Sequence, residues 1–175
     1  MSDFEAYLKD LVRDVPDFPM AGILFRDITP ILQDPEALKR TIDALAEAVA
    51  DLEFDTIFAI ESRGFIFGVA LGYALGKGVA LVRKPGKLPA RTEAVSYSLE
   101  YGTDTLEVHT DAVASGQRVL IVDDLLATGG TAAATCELAE KLGATVASCL
   151  FLIELDFLNG REKLAGHPVT SLVHY

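Results

Sequence analysis

The spacing of apolar residues changes along this chain, and each change marks an element. Phe4, Leu8, Leu11 and Val12 recur at helical spacing before Val15-Pro16 breaks the pattern, which predicts an amphipathic opening helix. Residues 16–33 are apolar but interrupted by prolines and Gly22, so an ordered, packed loop or short strand is expected. Asp34-Pro35-Glu36 reads as an N-cap with proline at the first helical position, and Leu38, Ile42, Leu45, Val49 and Leu52 supply the buried stripe that follows. From Thr56 onward the helical spacing gives way to short continuous apolar runs. Thr56–Ile60, Val79–Val82, Val119–Val122 and Val146–Ile153 have the character of strands buried on both faces. Helices are predicted from Phe65 to Leu75, closed by Gly76, and from Thr131 through Leu138 and Leu142 to Gly143. Glu93–Leu99 and Leu106–Val108 favour β structure around the turn-forming Glu100-Tyr101-Gly102-Thr103-Asp104, a hairpin. Gly160–Leu164 as a short helix and Val169–Val173 as a strand complete the chain. Strands alternating with helices in this way predict an α/β fold, a mostly parallel sheet flanked by helices with right-handed crossovers.

Such sheets bind ligands at the carboxyl ends of their strands, so the loops that follow the apolar runs are the places to look for chemistry. After Val119–Val122 come Asp123 and Asp124, then Ala127-Thr128-Gly129-Gly130-Thr131 and a helix start. The glycines permit close backbone approach, the loop and helix N–H groups suit an anion, and Thr128 and Thr131 add hydroxyl donors. The two carboxylates would repel a phosphate and suit sugar hydroxyls or a hydrated cation. A plain strand-to-helix turn capped by Thr128 or Thr131 is the alternative. A Walker loop is excluded by the lack of Gly-Lys-Ser/Thr, and a dinucleotide fingerprint by the lack of G-x-G-x-x-G. Glu61-Ser62-Arg63-Gly64 is a second strand-to-helix loop, and Arg83-Lys84-Pro85-Gly86-Lys87-Leu88-Pro89-Ala90-Arg91 a third, rich in basic residues.

Charge makes that third loop stand out. The formal net charge is −11, which argues against nucleic-acid or anionic-membrane partners, so any site for a polyanion must be made locally positive. With 175 residues, half of them apolar, the chain suits one domain spanning 1–175. Cys136 and Cys149 lack metal-ligand spacing and read as reduced, buried thiols, and with no signal-like segment a cytoplasmic protein is expected. His109, His167 and His174 are isolated and read as structural.

Val119 to Thr131 closely resembles the signature of the phosphoribosyltransferases that use 5-phosphoribosyl 1-pyrophosphate (PRPP). The resemblance implies the type I fold of that family, with Asp123 and Asp124 on the ribose hydroxyls and Ala127, Thr128, Gly129, Gly130 and Thr131 around the 5-phosphate. It further implies a pyrophosphate loop at Glu61, Ser62 and Arg63, with a cis peptide at Glu61–Ser62, joined by Arg83 and Lys87, with Lys84 and Arg91 as further candidates. Phe18-Pro19, Gly22 to Pro30, Arg83 to Pro89 and Ser96 to Gly102 resemble the adenine branch. There the resemblance implies a base-binding hood over residues 16–33, with Phe25 stacking on the purine, Arg26 reading its edge through main-chain groups and Leu155 closing the other face. A lid hairpin at about 93–108 would carry Glu100 as general acid/base, beside Arg63 and Lys87 as catalytic groups.

The expected reaction is transfer of phosphoribosyl from PRPP to N9 of adenine, giving AMP and pyrophosphate for purine salvage. Mg2+ would enter with PRPP and touch Asp123 and Asp124 if it touches protein at all. A homodimer is implied by the resemblance alone. The rivals are a phosphoribosyltransferase for another base and a PRPP-sensing module without turnover.

Overall fold

The computed structural model describes residues 3–98 and 102–175. It divides into two compact units, Met1–Ala44 and Leu45–Tyr175. In the first, helix α1 (Asp3–Leu11) buries Leu8, as its spacing predicts. Residues expected to form a loop or short strand make a hairpin and a helical turn. Strand β1 (Arg13–Pro16) pairs antiparallel with β2 (Leu24–Asp27), setting Val15 opposite Phe25. The reversal between them is closed by Gly22, at φ +85°, whose N–H donates to Asp17 Oδ1 at 2.8 Å. Thr29 then opens the short α2 (Thr29–Gln33), its N–H and hydroxyl both donating to Asp27.

Helix α3 (Pro35–Glu47) starts as read, with the N–H groups of Glu36 and Ala37 donating to Asp34 Oδ1 at 2.9 and 2.8 Å. Its buried stripe is shifted. Ala37, Thr41 and Leu45 are buried, Leu38 and Ile42 only half so, and Val49 and Leu52 follow the helix end. Thr41 can occupy the buried face because its hydroxyl donates to the Ala37 carbonyl at 2.8 Å, leaving no unsatisfied polar group.

The second unit is built on a five-stranded parallel sheet. Strands β3 (Thr56–Ile60), β4 (Gly78–Val82), β7 (Arg118–Leu126), β8 (Thr145–Glu154) and β9 (Val169–His174) lie in the order β4-β3-β7-β8-β9. The continuous apolar runs follow from burial of both faces. Phe58, Ile60, Val119, Ile121, Cys149 and Phe151 join the core beneath α5 (Gly130–Lys141), while Ile57, Ala59, Leu120, Val122 and Leu150 are buried on the other face. Helix α4 (Gly64–Leu75) lies close to that second face because it carries glycines. A Cβ on Gly68 would come within 2.5 Å of the Ala59 Cβ, and one on Gly72 within 2.5 Å of Val79 Cγ2. Cys136 and Cys149 are buried free thiols with their sulfurs 3.6 Å apart.

Two strand boundaries differ from the sequence reading by more than a residue. β7 does not end at Val122 but runs past both aspartates to Leu126, because its ladder with β8 continues to the pair Leu126 and Glu154. The hairpin of β5 (Thr92–Ser98) and β6 (Thr103–His109) takes Thr103 and Asp104 into paired strand positions. It is anchored at its base. Val95, Leu106 and Val108 enter the core with α5, and Arg83 and Glu107 exchange backbone hydrogen bonds of 2.8 and 2.7 Å.

Candidate functional site

Toward the carboxyl end of β7, Asp123 and Asp124 stand side by side and line one cavity. Asp124 is 4% exposed, and its Oδ2 accepts from Arg63 Nε at 2.6 Å. Arg63 reaches it from the start of α4, and Gly64 lets that helix begin against β7. A Cβ there would stand 2.8 Å from both Asp123 Oδ1 and the Val122 carbonyl. Asp123 Oδ1 accepts the Asp124 N–H at 2.8 Å. Burial, and then the charge of Asp124, push the Asp123 carboxyl well above the usual carboxylate range.

The loop Ala127–Gly129 leads into α5, with Gly129 at φ +78° and the N–H groups of the first helical turn at its mouth. A cavity of about 320 Å³ is lined by Glu61, Ser62, Arg63, Asp123, Asp124, Leu125 and Thr131. A smaller one of about 80 Å³ lies along Asp123 and residues 125–132. The two share Asp123, Leu125 and Thr131, so the first two loops read from sequence line adjoining cavities.

The third loop joins through Glu61. The peptide Glu61–Ser62 is cis. Glu61 Oε1 accepts from Lys87 Nζ at 2.5 Å, and Oε2 from Arg83 Nε at 3.3 Å and the Lys84 N–H at 2.9 Å. Burial opposes ionisation of Glu61, but the Lys87 and Lys84 hydrogen bonds and the two cations outweigh it and hold the carboxyl below the usual range. Lys84 Nζ also meets Asp104 of the hairpin at 2.9 Å. Arg91 meets the hairpin end through its carbonyl, which accepts the Thr110 N–H at 3.0 Å.

Leu155 follows β8, half-buried, its N–H donating to the Leu126 carbonyl at 3.0 Å. In the first unit, Phe25 meets Phe18 edge to face at 5.1 Å and the Arg26 guanidinium pairs with Asp14. Glu100, the expected acid/base, lies outside the described residues.

The phosphoribosyl transferase domain family matches residues 27–170. An adenine phosphoribosyltransferase of Carboxydothermus hydrogenoformans is 60% identical over 168 residues, covering 96% of this chain and 99% of that protein. One from Rubrobacter xylanophilus is 57% identical, covering 96% and 91%. The chain belongs to the adenine phosphoribosyltransferases. The crystal structure of the adenine phosphoribosyltransferase from Thermoanaerobacter pseudethanolicus superposes with a TM-score of 0.96 at 55% identity, covering 97% of this chain and 99% of that one. The Saccharomyces cerevisiae adenine phosphoribosyltransferase, complexed with an imino-altritol bisphosphate and adenine, gives 0.92 at 44% identity, covering 98% and 99%.

The structure adds to this phosphoribosyltransferase site one residue, Tyr97, and one set of contacts, those of Glu61, that sequence reasoning passed over. Tyr97, on the hairpin, places its hydroxyl 3.1 Å from Thr131 Oγ1 at the start of α5. Glu61, read from the sequence only as part of its loop, gathers the cations of Arg83 and Lys87 from 22 and 26 residues away. Nothing local could have signalled either contact.

Proposed function

We propose that the chain transfers the 5-phosphoribosyl group from PRPP to N9 of adenine, giving AMP and pyrophosphate, as a single phosphoribosyltransferase domain. The observation that carries the reading is a pair of adjoining cavities, one lined by Glu61–Arg63 with Asp123, Asp124 and Thr131, the other by Asp123 and residues 125–132. Its two halves suit the two ends of PRPP. Ala127 to Thr131 would hold the 5-phosphate on loop and helix N–H groups. Asp123 and Asp124 would take the ribose hydroxyls, and Ser62, Arg63, Arg83, Lys87 and main-chain groups at Glu61 the pyrophosphate. The Glu61 carboxylate repels phosphate and serves by gathering Lys87 and Arg83.

The difficult step is departure of pyrophosphate from the anomeric carbon, which builds positive charge on the ribose and negative charge on the leaving group. Arg63 and Lys87 offset the second, Asp123 and Asp124 the first. The donor set fits a hard cation, since two adjacent carboxylates, one pushed toward protonation by burial and then by the other, gain from a positive charge nearby. Mg2+ bound with PRPP would supply charge neutralisation to the pyrophosphate oxygens, held by Asp123 and Asp124 directly or through the ribose hydroxyls.

For the base, we assign stacking to Phe25 and Leu155. Purine-edge recognition goes to the main chain of Arg26, whose guanidinium is turned to Asp14. Proton handling at the purine goes to Glu100. The hairpin would act as a lid, and a homodimer is supported by the exposed apolar row Ile66, Val69 and Tyr73 on α4. No helix among the described residues is long and apolar enough to cross a membrane, and a cytoplasmic location fits the reduced thiols.

The test is pyrophosphate release on mixing protein, Mg2+ and PRPP with adenine, hypoxanthine or uracil. Release with adenine alone is expected. Turnover of another base in preference would reassign the substrate, and PRPP binding without release would leave a sensor.

A further inference from the structure

Behind the phosphate loop two stretches of backbone touch with no side chain between them. A Cβ on Gly129 would lie 2.2 Å from the Gly160 carbonyl oxygen. A Cβ on Gly160 would lie 2.2 Å from the Ala127 carbonyl oxygen and 3.1 Å from Leu126 Cδ1. Gly160 is therefore the floor on which the Ala127–Gly129 loop rests, and any displacement of one moves the other.

The floor is held by an ion pair. Gly160 opens a 3-10 turn, Gly160–Leu164, entered through Asn159 in the left-handed conformation at φ +52°. Arg161, the next residue, grips both oxygens of Glu154, Nε to Oε1 at 2.6 Å and Nη2 to Oε2 at 2.7 Å, and donates from Nη1 to the Val169 carbonyl at 3.0 Å. Ser171 donates to Glu154 Oε2 at 2.7 Å. Glu154 is 3% exposed, ends β8 and pairs in register with Leu126, the residue before the phosphate loop. One guanidinium thus ties the ends of β8 and β9 to the turn that carries Gly160. Apolar side chains could bury the same surface at less desolvation cost, but a bidentate pair sets orientation as well as distance.

The same cluster has metal-like composition, since Glu154, Asp156 and His174 present ligand atoms within 4.8 Å of one another. It is not a cation site, because both Glu154 oxygens accept from Arg161 and a guanidinium already supplies the positive charge.

We propose that Glu154 and Arg161 are positioning residues for the 5-phosphate, acting through Gly160 on the Ala127–Gly129 loop. The inference rests on the assignment of that loop to the phosphoribosyl end of the substrate. Ribose 5-phosphate, and separately pyrophosphate with Mg2+, would be titrated calorimetrically into the wild type, Arg161→Met, Arg161→Lys and Gly160→Ala, with circular dichroism melts alongside. Arg161→Met and Gly160→Ala should lose affinity for ribose 5-phosphate by about tenfold or more, with pyrophosphate binding within about twofold of wild type. Arg161→Lys, keeping the charge without the bidentate grip, should fall between. If Arg161→Met fails to fold, Gly160→Ala carries the test, since its ion pair is intact. Unchanged ribose 5-phosphate affinity at a lowered Tm would make the pair merely structural and overturn the proposal. Equal loss of both ligands would do the same. A wild type that binds pyrophosphate but no ribose 5-phosphate would overturn the loop assignment itself.

Discussion

Neighbouring strands β7 and β8 each carry, toward the carboxyl end, a buried carboxylate met by an arginine, yet the two pairs are built differently. Glu154 receives two bonds from Arg161 and one from Ser171, so burial is answered and its carboxyl is held below the usual range. At β7 Asp124 accepts from Arg63, and a second carboxylate, Asp123, stands beside it pushed the other way. The difference separates support from chemistry. A closed network holds a shape, whereas charge left incompletely answered at a cavity waits for a ligand to answer it.

The hardest way to break the comparison is to remove Arg63. Arg63→Ala strands Asp124, which should lower the Tm, and withdraws a donor from the leaving group, which should lower kcat/KM about 100-fold or more. The double variant Arg63→Ala, Asp124→Asn separates the two effects. It should regain most of the lost Tm in calorimetry and none of the rate. Recovery of rate together with Tm would reduce Arg63 to a structural arginine.

A subtler break is Asp123→Asn. Burial and Asp124 raise the folded-state value of this carboxyl, so between its ordinary value near about 4 and the raised one the folded state holds the extra proton, and stability falls as pH rises through that window. Asparagine keeps the oxygen that accepts the Asp124 N–H and removes the charge. Tm near pH 8 should therefore rise, by about 2–4 °C for each kcal/mol of repulsion relieved, while PRPP turnover falls. The advantage should shrink as pH approaches 4. A variant less stable than wild type at pH 8 would show that Asp123 is not under electrostatic stress.

What the sequence revealed divides along the same line. Thr56–Ile60 is legible because burial on both faces leaves an unbroken apolar run, and Asp34-Pro35 because capping is local chemistry. The loop from Ala127 into α5 is legible because its glycines and hydroxyls are contiguous. The end of β7 was misjudged because Asp123 and Asp124 look like strand terminators, while a ladder to β8, more than 20 residues on, carries the strand past them. The stripe of α3 was misplaced because a threonine that satisfies its hydroxyl within the helix can be buried like an alanine. The contacts of Glu61 and of Gly160 carry no local signal. Each matters through partners brought up by the fold, Lys87 for one and Ala127 and Gly129 for the other.

The mildest test sharpens the comparison from the quiet side. Ser171→Ala removes one neutral donor from Glu154 and leaves the Arg161 grip, so the net cost should be about 1 kcal/mol, or about 2–4 °C in Tm near pH 7. Glu154 has a depressed folded-state value, so its contribution is present above the ordinary glutamate range, near about 4.3, and is lost as pH falls through the folded value. The serine bond supports the ionised form, and the Tm gap between wild type and Ser171→Ala should narrow as pH falls below about 4, through the depressed folded-state value. Ribose 5-phosphate affinity should stay put, because Arg161 still holds the turn beneath the loop. A gap that keeps its size across the acid limb would mean that the hydroxyl does not serve the carboxylate's charge, and the closed network at β8 would then lose one of its members.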